Sequence, residues 1–153
     1  MTIRLLPSLA LLALVGCGAS VDAEKKEPFI LYSLHGNDVE PDKRPKTAEQ
    51  FHSFPVLGKV EIANADSRKE ILAALQAGMG KGERHKCFWP RHGIRVVSNG
   101  QATDYVICFE CGLVSVFGGS NETKSTDTSA AVVFNRYLKD VGVPEDRQSA
   151  DDK

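Results

Sequence analysis

Apolar residues recur along this chain with two different periods, and each change of period marks an element. Phe29–Leu34 is a short apolar run closed by His35-Gly36-Asn37-Asp38, which predicts a strand and then a turn. Phe54–Ile62 predicts a second strand: Leu57, Lys59 and Glu61 alternate with Val56, Val60 and Ile62, although Gly58 weakens the pattern. Between them, Val39–Lys46 holds Pro41 and Pro45 among charged residues and reads as loop. Thr47-Ala-Glu-Gln50 has the form of a capping box opening one or two helical turns to Ser53. Ser67-Arg-Lys-Glu70 repeats that form. Ile71, Leu72, Ala74, Leu75 and Met79 then share one face of a helix stopped by Gly78 and Gly80. A last helix follows Ser129, with Val133, Phe134, Tyr137, Leu138 and Val141 on one face and Gly142 and Pro144 ending it.

The stretch between the helices, His85–Phe117, organises the rest. Gly93–Val97 and Tyr105–Phe109 flank Ser98-Asn99-Gly100-Gln101, and Asn-Gly between apolar runs predicts a hairpin, because both central residues of a type I′ turn need positive φ. Tyr105–Phe109 is apolar without alternation, as in a strand covered on both faces. Leu113–Phe117 either extends it or forms another strand after a bend at Gly112, and Gly118–Thr128 reads as a polar loop. The expected fold class is α+β: a single small domain, an antiparallel sheet of three to five strands around a central hairpin, with two main helices packed on it. Leu72, Leu75, Phe134 and Leu138 are the expected core.

The N-terminus changes the picture. Met1–Arg4 carries one positive charge, and Leu5–Val15 is an apolar run too short to span a bilayer but suited to the core of a signal peptide. Leu14-Val15-Gly16-Cys17 directly follows and resembles the bacterial lipobox. The resemblance implies cleavage after Gly16, a thioether-linked diacylglycerol on Cys17 and further acylation of its amine, enough chains for stable anchoring. Gly18, where inner-membrane lipoproteins carry Asp, favours the periplasmic face of an outer membrane. The expected organisation is a signal peptide over 1–16, a flexible tether over 17–28, the α+β domain over 29–144 and a disordered tail over 145–153. The membrane, through Cys17, is the expected partner. A net charge of −1 gives no electrostatic reason to expect nucleic acid.

Three segments carry a second resemblance: Phe54-Pro-Val-Leu-Gly-Lys59, Cys87-Phe-Trp-Pro-Arg-His-Gly-Ile-Arg95 and Ile107-Cys-Phe-Glu-Cys111. From about Phe29 to Pro144 the chain resembles a group of small secreted proteins of planctomycete-like bacteria. That resemblance implies one secreted domain and supplies no mechanism.

Candidate chemistry centres on Cys87, Cys108 and Cys111. Outside the cytoplasm a disulfide is expected. The Asn99-Gly100 turn puts Cys87 within one residue of opposition to Cys111, so a bulge near Pro90 would pair them, in preference to Cys87 with Cys108. Alternatively Cys87, His92, Cys108 and Cys111 form a Cys₃His zinc site with His85 as a spare ligand. A redox role for Cys108-Phe-Glu-Cys111 lacks the helix N-terminus that lowers a thiol pKa, and Glu110 would oppose a thiolate. Inert buried thiols are the remaining reading. Arg91, His92 and Arg95 are a candidate anion or carboxylate site, against a plain solvated bend. His35 and His52 stand alone in loop-like segments and read as solvent-exposed. Gly78-Met-Gly-Lys-Gly82 lacks the spacing of a phosphate loop. No catalytic triad, carboxylate pair or nucleotide loop can be assigned. The expectation is therefore a lipid-anchored envelope protein, a non-enzymatic binding or structural module without a cofactor. The alternative is a metal-binding or thiol-dependent envelope enzyme using the cysteine cluster.

Overall fold

The computed structural model describes residues 27–36, 49–119 and 121–146. The leader, Cys17, most of the tether, Thr47 and the end of the tail lie outside these. The elements are β1 (Phe29–Leu34), β2 (Gln50–Phe51), β3 (Phe54–Glu61), α1 (Ala65–Gly78), β4 (His92–Ser98), β5 (Gln101–Cys108), β6 (Leu113–Phe117), β7 (Glu122–Ser125) and α2 (Ala131–Asp140). The strands make one seven-stranded antiparallel sheet in the order β2-β3-β1-β4-β5-β6-β7. The α+β class and its two helices therefore stand, while three to five strands undercounts the sheet.

The additional strands lie where local signals pointed elsewhere. The second half of the expected Thr47–Ser53 helix is β2 and a tight turn: Gln50 and Phe51 pair with Pro55 and Phe54, and His52 and Ser53 both take positive φ. A capping-box pattern is satisfied by short-range contacts alone, and here the apolar demand of Phe51 overrides it. β7 lies within the polar loop Gly118–Thr128, where Thr123 and Ser125 pair with Ser115 and Leu113 on a half-exposed edge. Polar edge strands carry no apolar alternation to reveal them.

One sheet face is closed by the helices. Leu31, Ile94, Ile107 and Val114 meet Ile71, Leu75, Phe134 and Leu138 in one cluster, all with no exposure. Leu75, Phe134 and Leu138 occupy the expected core, and Leu72 sits half-buried beside it. α1 begins one turn earlier than its box suggested, because Asn64 Oδ1 accepts the Ser67 N–H at 3.0 Å and serves as the cap. Glu70 ties the helices together by accepting from Arg136 Nη2 and Tyr137 Oη, each at 2.7 Å.

The other face is closed by the sheet's own edge. The β2–β3 hairpin curls over so that Phe51 stacks on Tyr32 of β1, with ring centroids 4.3 Å apart. Gly93 makes this possible: a Cβ there would lie 2.7 Å from the Phe51 ring. Leu34, Val56 and Val106 complete this smaller cluster.

Candidate functional site

A cleft opens at the end of the sheet where β4 begins. Arg91 is held between neighbouring strands: its carbonyl accepts the Leu34 N–H at 2.9 Å, and its own N–H donates to the Ile107 carbonyl at 3.2 Å. The cleft is lined by Trp89, Arg91 and His92 from this segment, Phe109 and Glu110 from the β5–β6 turn, and Ala131 and Asn135 from α2. Its volume is about 170 Å³, below the roughly 300–1,000 Å³ of sites for drug-sized ligands, so it suits a smaller molecule.

Glu145 and Asp146 close one side of the cleft, so the beginning of the expected tail belongs to the fold. Asp146 accepts from His35 Nδ1 at 3.0 Å and from the Gly36 N–H at 3.1 Å, and Ser33 Oγ donates to the Pro144 carbonyl. His35 is therefore bonded and largely covered, which corrects its reading as an isolated exposed histidine.

His92 points to the helix-covered face. Its Nε2 donates to Asn135 Oδ1 at 2.6 Å, and the edges of Phe109 and Phe134 wall it in. Burial pushes its pKa down to about 4; the Asn135 bond opposes this, and the Arg91 charge adds to it. His92 is thus neutral at physiological pH. Arg91 Nη1 lies 3.0 Å from Glu110 Oε1, while its Nε and Nη2 are buried without a hydrogen-bond partner. Those two nitrogens form the guanidinium edge that receives a carboxylate in bidentate fashion.

Arg95 does not join this pair. Alternation along β4 puts it on the opposite face from His92, where its Nε and Nη2 donate to Asp104 Oδ1 and Oδ2 at 2.8 and 2.7 Å. The expected Arg91–His92–Arg95 cluster is therefore split, and Arg95 is spent on a structural fork. His52 Nε2 also meets Asp104 Oδ2, at 2.7 Å, and its ring stacks on Phe117. Burial pushes the Asp104 pKa up, but the Arg95 fork and the His52 bond outweigh it and hold the carboxyl below its usual range. His52, like His35, is a bonded group and not a free one.

The disulfide joins Cys108 to Cys111, with Cα atoms 5.2 Å apart, and Cys87 is free and half-buried. This corrects the expected Cys87–Cys111 pairing. A strand running to Phe109 with a bend only at Gly112 would keep the two cysteines apart, but a turn falls there: the Gly112 N–H donates to the Phe109 carbonyl at 3.2 Å and folds Cys111 back on Cys108. Gly112 is required, with φ of +63° and a hypothetical Cβ only 2.0 Å from the Glu83 carbonyl. The four candidate zinc ligands are not assembled, since Cys108 and Cys111 are bridged and His92 is turned to Asn135. Among the described residues no group of three or more His, Cys, Asp or Glu side chains is placed to hold a metal ion.

Trp89, Phe109, Asn135 and Asp146 were not singled out from sequence, because they meet only through the sheet's end, α2 and the C-terminal strap. Comparison with protein-family models, with curated proteins and with solved structures finds no match to this chain. What fold and site define is an antiparallel α+β domain with a small cleft of mixed aromatic and charged lining.

Proposed function

We propose that this chain is a lipid-anchored protein of the bacterial cell envelope, related to the small secreted proteins it resembles, whose domain is a non-enzymatic module binding a small carboxylate. Cys17 carries the lipid and the residues up to Lys26 tether the domain, since Glu27 and Pro28 already bond Arg68 and Val97, with the periplasmic face of the outer membrane favoured by Gly18. The Cys108–Cys111 bridge supports an oxidising compartment, since such bridges persist mainly outside the cytoplasm.

The observation that carries the binding reading is Arg91. Arg91 lines the cleft beside the aromatic surfaces of Trp89 and Phe109, and two of its nitrogens are buried without a partner. Desolvated donors of this kind cost free energy until a partner arrives. The other charges set the ligand's class. Glu145 and Asp146 share the lining with Arg91, so multiply charged anions are repelled, and a monocarboxylate with an apolar body is favoured.

Trp89 is the sole tryptophan and reports on the cleft directly. Titration with phenylacetate should change Trp89 emission saturably, and Arg91→Gln should weaken the apparent affinity at least tenfold. Inorganic phosphate should have no saturable effect. A linear response shared by wild type and Arg91→Gln would defeat the binding reading. The anchor is tested separately: Cys17→Ser should leave the membrane fraction, and identical fractionation without acyl mass on the wild type would defeat it.

A further inference from the structure

The three cysteines lie together outside the cleft chemistry just described. Cys108 and Cys111 are bridged and almost wholly buried, at 1% and 0% exposure, so a thiol in solvent has no direct path to them. Cys87 is half-buried and free. The chain on either side of it is fastened to Cys111: the His85 N–H donates to the Cys111 carbonyl at 3.0 Å, and the Trp89 N–H donates to Cys111 Sγ at 3.4 Å. Cys87 sits midway between these two contacts, on the segment that crosses Cys111.

We propose that this bridge is exchangeable and that Cys87 is the thiol that enters it. The Cys87 thiolate attacks Cys111 Sγ. The Cys87–Cys111 bond forms as the Cys108–Cys111 bond breaks, and the electron pair leaves on Cys108 Sγ. The proton lost from Cys87 passes to solvent and one is regained at Cys108, so no oxidant or reductant is consumed.

The leaving side is prepared for this. The Cys111 N–H donates to Cys108 Sγ at 3.1 Å and would stabilise the released thiolate. Glu110, whose charge would oppose it, is neutralised by Arg91 at 3.0 Å. Exchange brings a buried disulfide within reach of solvent thiols through Cys87. It also opens the turn that carries Phe109 and Glu110, so the bridge's position and the shape of the cleft are linked.

The test uses the full lipoprotein in detergent, held at pH 6, 7 and 8, alkylated with N-ethylmaleimide and then denatured in acid. Trypsin followed by a glutamate-specific protease cuts at Glu110 and separates Cys108 from Cys111. The expected result is a population with Cys87 joined to Cys111 and the label on Cys108. It should appear faster as the pH is raised from 6 to 8 and be missing from Cys87→Ser. Cys108→Ser treated with oxidised glutathione should form the Cys87–Cys111 bond. Label confined to Cys87 at every pH overturns the proposal, and so do two persistent free thiols in oxidised Cys108→Ser.

Discussion

The two faces of the sheet are closed by different means. On one, Leu31, Ile94, Ile107 and Val114 are covered by Ile71 and Leu75 of α1 and by Phe134 and Leu138 of α2, and the contact is apolar except at its margin, where His92 bonds Asn135. On the other, the cover is the sheet's own β2–β3 hairpin, which places Phe51 on Tyr32 and carries His52 across to Asp104 on β5. That apolar cluster is smaller and ends in a charged network, with Asp104 accepting from both Arg95 and His52. The comparison separates two kinds of information. Helix burial is written in a repeating apolar stripe, whereas the hairpin's cover depends on one glycine, Gly93, and on contacts between residues far apart in sequence.

The contrast is broken most forcefully at the centre of the helix-covered face. Leu75 has no exposure and belongs to the main cluster, so Leu75→Ala should cost about 2–5 kcal/mol through lost transfer energy and a cavity. Phe54, at the margin of the smaller cluster, is partly exposed, and Phe54→Ala should cost less than Leu75→Ala. Urea denaturation of the two variants measures the order. A larger loss at Phe54 would mean that the hairpin and not the helices holds the sheet together.

The faces should also part company in their response to acid. His92 is neutral in the folded protein, with its pKa pushed down to about 4 by burial, while unfolding restores a value near 6.5. Above pH 6.5 both states are unprotonated and His92 contributes no pH dependence. As pH falls from there to about 4 the unfolded chain alone takes the proton, so stability should drop by roughly 3 kcal/mol across that window. Asp104 acts lower: its carboxyl is held below the usual range by Arg95, so its contribution is present above the unfolded carboxylate pKa and lost as pH falls through the depressed value. His92→Gln keeps a donor for Asn135 and should flatten the wild-type loss between pH 6.5 and 4. Parallel curves for the two proteins would show that His92 is not the group responsible.

How much of this was legible follows from the range of each signal. The central hairpin, both helices and their buried stripe were readable because Asn99-Gly100 and the spacing of Leu75, Phe134 and Leu138 act over a few residues. The Cys108–Cys111 turn was not, since Tyr105–Phe109 reads as uninterrupted strand and the demand for a glycine at 112 comes from the Glu83 carbonyl, nearly thirty positions away. Two of the three residues of the anion cluster were legible: Arg91 and His92 share the cleft, but Arg95 is removed from it by strand alternation, a consequence of the point where β4 begins. Asn135 and Asp146 complete the site from α2 and the C-terminal strap, and nothing local marks either residue.

Two turns of the same hand sharpen the comparison at the smallest scale. The β4–β5 turn uses Asn99 and Gly100 at φ of 51° and 74°, and the β2–β3 turn reaches similar values, 48° and 73°, with His52 and Ser53. Asn and Gly accept this region readily, whereas a side chain such as that of Ser53 costs about 1–2 kcal/mol in it. The ring of His52 is held between Phe117 and Asp104, so its position has compensation. Ser53 is exposed and makes no comparable contact across the sheet. Ser53→Gly should therefore relieve the strain, offset in part by about 0.5–1 kcal/mol of added unfolded-chain entropy, for a net gain of roughly 0.5–1 kcal/mol. His52→Asn should give no such gain, because it exchanges strain for a lost stack and a changed bond to Asp104. Denaturant midpoints at pH 7 decide the matter: a Ser53→Gly protein less stable than wild type would mean that the serine side chain holds the turn, and the strain account of this hairpin would fail.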